Sequence, residues 1–86
     1  MSYRISIRKQ ALKEIEDLPR KASKQVSAAI DSLADIPRPV GCKKLKGEHS
    51  YIWRIRVGDY RVWYKIDDER KVLEVGPVGT RNNVYE

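Results

Sequence analysis

From Tyr51 to Ile66 apolar and polar positions alternate, first through Tyr-Ile-Trp-Arg-Ile-Arg-Val and then, after Gly58-Asp59, through Tyr-Arg-Val-Trp-Tyr-Lys-Ile. Alternation of period two sends successive side chains to opposite faces of a sheet, so the stretch predicts two strands. Glycine at the first central position of a two-residue turn suits the type II′ hairpin. That turn pairs Val57 with Tyr60, Arg56 with Arg61, Ile55 with Val62 and Arg54 with Trp63. One face then carries Tyr51, Trp53, Ile55, Val57, Tyr60, Val62, Tyr64 and Ile66. The other carries Ile52, Arg54, Arg56, Arg61, Trp63 and Lys65, and is expected to lie open.

The rest of the chain supplies a cover for the apolar face. Tyr3 to Ile7 alternates and reads as a short first strand. From Lys9 the spacing turns helical, with Ala11, Leu12, Ile15 and Leu18 on one side. Pro19 ends this helix and is placed to begin a second, whose stripe is Ala22, Val26, Ala29, Ile30 and Leu33. Asp35-Ile36-Pro37-Arg38-Pro39 stops it, and Val40 to His49 reads as a basic connection anchored by Leu45. Beyond the hairpin, Asp67-Asp68-Glu69-Arg70 predicts a four-residue loop into a strand from Lys71 to Gly76. In that register Ile66 faces Lys71, Tyr64 faces Leu73 and Val62 faces Val75. Pro77 donates no ladder hydrogen bond, so the strand is expected to end there or to run along an edge. The fold class is α+β: an N-terminal strand and a two-helix hairpin packed on one face of an antiparallel sheet. Residues 1–86 form a single domain.

Composition narrows the function. With 41% hydrophobic and 35% charged residues the chain reads as globular, and its apolar runs are too short to span a membrane. One cysteine excludes an internal disulfide, and no secretory signal is read at the N-terminus, so a cytoplasmic setting is expected. Net charge is +6, and residues 38–65 carry it all, with eight basic side chains against two acidic. Such concentration favours a polyanion, nucleic acid before acidic protein, over a merely solvated surface.

Conventional catalytic sets are missing. One His and one Cys do not make a zinc site, no phosphate-cradling glycine loop occurs, and Cys42 with His49 has no third orienting group. No cofactor or metal is expected. What remains is the cationic sheet face. Like charges set opposite each other, as at Arg56 and Arg61, destabilise an isolated sheet, so their presence points to a bound anion. Arginine forks suit phosphate, and Trp63 offers either a stacking surface for a base or a partner for Arg54.

The segments Ala11-Leu12-Lys13-Glu14-Ile15-Glu16-Asp17-Leu18-Pro19, Lys44-Leu45-Lys46-Gly47, Tyr51 with Arg54, Gly58-Asp59-Tyr60-Arg61-Val62-Trp63-Tyr64, and Val78-Gly79-Thr80-Arg81 with Val84-Tyr85 resemble the RelE/ParE superfamily of toxin–antitoxin toxins. The resemblance runs from about Tyr3 to Tyr85. It implies either ribosome-dependent cleavage of mRNA, the RelE activity, or inhibition of DNA gyrase, the ParE activity; a non-catalytic nucleic-acid-binding module is the further alternative. Matched position by position, Arg54, Arg61, Arg81 and Tyr85 fall on the RelE catalytic positions, which favours the endoribonuclease. Lys44, Lys46, Arg56, Trp63 and Lys65 are assigned to RNA binding. The implied partners are the ribosome with its mRNA, and a small cognate antitoxin whose acidic amphipathic segment neutralises these cations. Ile52 stands where some RelE toxins carry lysine. Arg54 does not lose its proton under ordinary conditions, which leaves Glu74, Lys46 and Tyr85 as candidates to accept one.

Overall fold

The computed structural model describes residues 2–45 and 52–80. Its elements are β1 (Arg4–Ile7), α1 (Lys9–Glu16), α2 (Arg20–Ser32), β2 (Lys43–Lys44), β3 (Ile52–Val57), β4 (Tyr60–Asp67) and β5 (Val72–Thr80). The strands make one sheet in the order β1-β5-β4-β3-β2. Pro19 occupies the cap position of α2, with φ −54° and ψ 146°. That extended geometry turns the chain between the two helices.

The hairpin register is the expected one, from Val57 opposite Tyr60 through Arg54 opposite Trp63. Gly58 has φ +61°, and Asp59 is not among the positive-φ residues, as a type II′ turn requires. The N-terminal strand is not stacked on the sheet. It joins as an edge, parallel to β5, with Ile5 opposite Leu73. The two helices cross over between β1 and the later strands, which is the connection parallel pairing demands.

Two differences concern β5. The loop lies one residue further on than expected, at 68–71, because β4 continues to Asp67, opposite Val72. The Asp67 carboxylate closes this turn by accepting the backbone N–H groups of Glu69 and Arg70, both at 3.1 Å, and Lys71 takes φ +57°. Tyr64 therefore faces Val75 and Ile66 faces Leu73. A shift of two residues leaves every side chain on its expected face. The strand does not end at Gly76-Pro77 but runs on along an edge, the second of the two expected outcomes, since β1 pairs with it only as far as Val75. The difference is an irregularity in its pairing with β4. Val62 faces Val78 whereas Tyr64 faces Val75, so two residues of β5 oppose the single Trp63. This β-bulge accommodates the missing N–H of Pro77 and reverses the alternation beyond it.

The core lies between the helices and the apolar sheet face. Ala11, Ile15, Val26, Ile30 and Leu33 meet Ile55, Val62, Tyr64, Leu73, Val75 and Val78, all buried. Leu12, expected in the α1 stripe, is instead exposed. Val78 reaches the core because the bulge has turned it inward, and its N–H donates to the Glu14 carboxylate of α1 at 3.1 Å. The buried Tyr64 hydroxyl donates to the Pro37 carbonyl at 2.8 Å, fixing the exit from α2. Arg38 bridges to Asp68 at 2.9 Å, and the Tyr3 hydroxyl donates to the same carboxylate. These two donors hold the Asp68 carboxyl below the usual carboxylate range.

Candidate nucleic-acid interface

Strand register decides which cations share a face. On β3 and β4 it aligns Arg54 with Trp63, Arg56 with Arg61 and Ile52 with Lys65, all away from the helices. On β5, Glu74 faces Lys65 and Gly79 faces Arg61. The Lys65 ammonium lies 4.0 Å from the Glu74 carboxylate, an exposed pair.

The short strand β2 was not expected, and it separates two neighbouring lysines. Lys43 pairs with Arg54 and Lys44 with Trp53. Residues paired across a sheet share a face, so Lys43 joins the cationic face and Lys44 goes to the other. There Lys44 Nζ sits 5.8 Å from the Trp53 ring centroid, with the Arg38 guanidinium 5.1 Å from the same ring. Lys44 is thus not brought together with the proposed RNA-binding residues. Lys43, which sequence reasoning passed over, is. Two consecutive lysines carry no parity of their own, and only the register of a two-residue strand distinguishes them.

The middle of the face is not open as expected. Arg54, Arg61 and Trp63 are 7%, 5% and 6% exposed, while Arg56 and Lys65 are exposed. Burial lowers the proton affinity of the Arg54 guanidinium, and the positive charge of Arg56 lowers it further. The result is concentrated, partly desolvated positive charge on one face, a setting in which interaction with an anion is strong. Among the described residues, two recesses lie beside it. A polar one of about 240 Å³ at the hairpin tip is lined by Arg56, Gly58, Asp59 and Arg61. A second of about 240 Å³ lies at the β5 bulge, beside Trp63. Arg81, Tyr85 and Lys46 fall outside the described residues, so their relation to Arg54 and Arg61 rests on the sequence alone.

Among the described residues no cluster of His, Cys, Asp and Glu is arranged to hold a metal ion, and no helix is long and apolar enough to cross a membrane. What the arrangement offers chemically is fixed positive charge with hydrogen-bond donors, suited to phosphate and to charge developing on it.

Replacing Lys43 by alanine should weaken binding of single-stranded RNA and reduce the slope of log affinity against log salt by about 0.7, the value for one lost phosphate contact. Lys44→Ala should leave that slope unchanged. Fluorescence anisotropy across a salt series measures both, and equal effects would show that the register does not govern RNA contact.

Comparison with known proteins places the chain. Residues 5–85 match the family model described as ParE toxin of type II toxin-antitoxin system, parDE. An archaeal RelE–RelB complex from Pyrococcus horikoshii contains a chain 31% identical, superposing with a TM-score of 0.82 over 98% of this chain and 100% of that one. The RelBE2 toxin–antitoxin complex from Mycobacterium tuberculosis gives 26% identity and a TM-score of 0.84 over 94% and 100%. The isolated RelE toxin of Escherichia coli gives 27% and 0.78 over 92% and 84%.

Proposed function

The chain belongs to the ParE toxin family of type II toxin–antitoxin systems, within the RelE/ParE superfamily, and on that premise we propose that it acts as a RelE-type endoribonuclease on ribosome-bound mRNA. The observation that carries this reading is the placement of Arg54, Arg56 and Arg61 on one sheet face, two of them more than nine-tenths buried. A protein that only attracts nucleic acid has no need to desolvate its arginines. A site that stabilises charge developing on phosphorus gains from doing so, because a fixed charge counts for more in a low dielectric.

In the proposed reaction the ribose 2′-oxygen of the mRNA attacks the adjacent phosphorus. The 2′-hydroxyl gives up its proton as the 2′-O–P bond forms, the 5′-oxygen of the next nucleotide takes one up as its bond to phosphorus breaks, and the products are a 2′,3′-cyclic phosphate and a 5′-hydroxyl. Arg54 and Arg61 stabilise the charge that builds on the phosphoryl oxygens, with Arg81 and Tyr85 joining them. Arg56, Lys65 and Lys43 hold the flanking backbone. Arg54 remains a cation at neutral pH, so it serves as an electrostatic group and not as the base. In-line attack needs the substrate held in position, which the ribosome supplies; free RNA is a poor substrate.

The proposed partner of the resting protein is an antitoxin whose acidic, amphipathic segment lies along the toxin and neutralises its cations. The P. horikoshii and M. tuberculosis relatives are both in complexes of toxin with antitoxin. Gyrase inhibition is the competing reading, favoured by the ParE description of the matching family. Added to translating ribosomes, the protein should produce codon-positioned mRNA 5′ ends detectable by primer extension. Intact mRNA together with blocked DNA supercoiling by gyrase would replace this reading with the other.

A further inference from the structure

The recess at the β5 bulge lies apart from the arginine pair, and its composition differs. Ile52, Trp63 and Pro77 form apolar walls, and Gly76 contributes no side chain where the strand crosses it. Arg8, Tyr64, Lys65 and Glu74 complete the lining, and Glu74 is the one carboxylate among these residues. Arg8 and Pro77 are exposed, and Ile52 and Glu74 are half-exposed, so a ligand reaches the recess from solvent. The recess lies at the bulge, where two residues, Gly76 and Pro77, oppose Trp63 and the first has no side chain.

Resting on the RNA reading above, we infer that this recess is a nucleobase subsite that selects bases bearing an exocyclic amino group over uracil. Position supports it first. Trp63 is the direct cross-strand neighbour of Arg54 and stands two residues from Arg61, about 7 Å along the strand. A phosphate on the arginines therefore leaves a base of the same strand within reach of the recess. Chemistry supports it second. Apolar walls suit the faces of a base, and single-stranded RNA is read through the edges of its unstacked bases. Glu74 accepts a hydrogen bond from an amino group, as carboxylates do from cytosine N4. Arg8 and Lys65 donate to the neighbouring ring nitrogen or carbonyl. Adenine, cytosine and guanine all offer an amino donor beside an acceptor. Uracil has no amino group; its one donor on this edge, N3–H, lies between two carbonyl oxygens whose partial charges the carboxylate repels.

The test is a titration of the isolated, isotope-labelled protein with AMP, CMP, GMP, UMP and inorganic phosphate, followed by NMR. AMP, CMP and GMP should move the Trp63 indole and Gly76 amide signals and bind about fivefold more tightly than UMP, the worth of one modest hydrogen bond. Inorganic phosphate should move the Arg56 and Arg61 amides and leave Gly76 in place. Glu74→Gln, at a half-exposed position, should abolish the discrimination by raising UMP affinity, since its amide group donates to a uracil carbonyl. Equal affinity for all four nucleotides, or the same Gly76 shift from phosphate alone, overturns the inference. Because no ribosome enters the titration, loss of mRNA cleavage with discrimination intact would remove the endoribonuclease reading and spare the subsite. Cleavage without discrimination would do the opposite.

Discussion

Arg61→Ala should lower ribosome-dependent mRNA cleavage by roughly 10²–10³-fold, the usual cost of removing one pre-positioned charge-stabilising donor. Arg61 is 5% exposed and pairs across the hairpin with Arg56, so its guanidinium is fixed by the sheet instead of being recruited from solvent. Fold stability should stay within about 1 kcal/mol of the parent. The packed stem of the side chain is lost, but a like-charge pair across two strands is relieved. Arg61→Lys should recover part of the activity only, since it keeps the charge and loses the two-pronged donor. Primer extension on translating ribosomes, with thermal melting as the control for folding, measures both. Undiminished breaks from a folded Arg61→Ala protein would remove this residue from the chemistry.

The largest effect on stability is expected at Leu73. It is fully buried on β5, with Ile5 of β1 on one side and Ile66 of β4 on the other. Truncation to alanine removes three heavy atoms from a site flanked by two strands, where collapse around the gap is restricted. The expected loss is about 3 kcal/mol, within the range for buried leucines. For a domain of this size that corresponds to a fall of roughly 12–24 °C in melting temperature. The same substitution at Leu12, nearly half-exposed on α1, should cost well under about 1 kcal/mol. Calorimetry on the two variants makes the comparison, and similar losses would contradict the assigned core.

Much of this fold was legible because its determinants are local. The hairpin register follows from alternation plus one turn, and Gly58-Asp59 specifies both. The helical stripes at Ile15, Val26, Ile30 and Leu33 follow from spacing. What was not legible depends on partners distant in sequence. The side of the sheet that Lys43 and Lys44 each occupy is set by β3, ten residues away, and nothing in a two-residue strand announces it. The parallel docking of β1 on β5 joins residues nearly seventy positions apart. Proline at position 77 read locally as a terminator or an edge residue without deciding between them; the strand continues as an edge, and the Glu14 carboxylate of a remote helix accepts the N–H of Val78. The cationic face was legible as a set of residues, but not its burial. Alternation tells which side a residue takes and is silent on how deeply it is covered.

The bulge at Gly76-Pro77 gives β5 two phases. Before it odd-numbered residues point to the helices, as Leu73 and Val75 do; after it the even-numbered Val78 does. What this pair of residues contributes is therefore a count more than a chemistry. A β-carbon at Gly76 would come no closer than 3.5 Å to the Trp63 carbonyl, an ordinary contact, so a small side chain is admissible there. Losing one of the two residues would be absorbed as well: the shortened strand would pair regularly with β4, with one residue opposite Trp63, and Val78 would stay opposite Val62 on the core side. The pair holds one residue more than the ladder needs, and the bulge takes it up so that the apolar and cationic faces do not trade places.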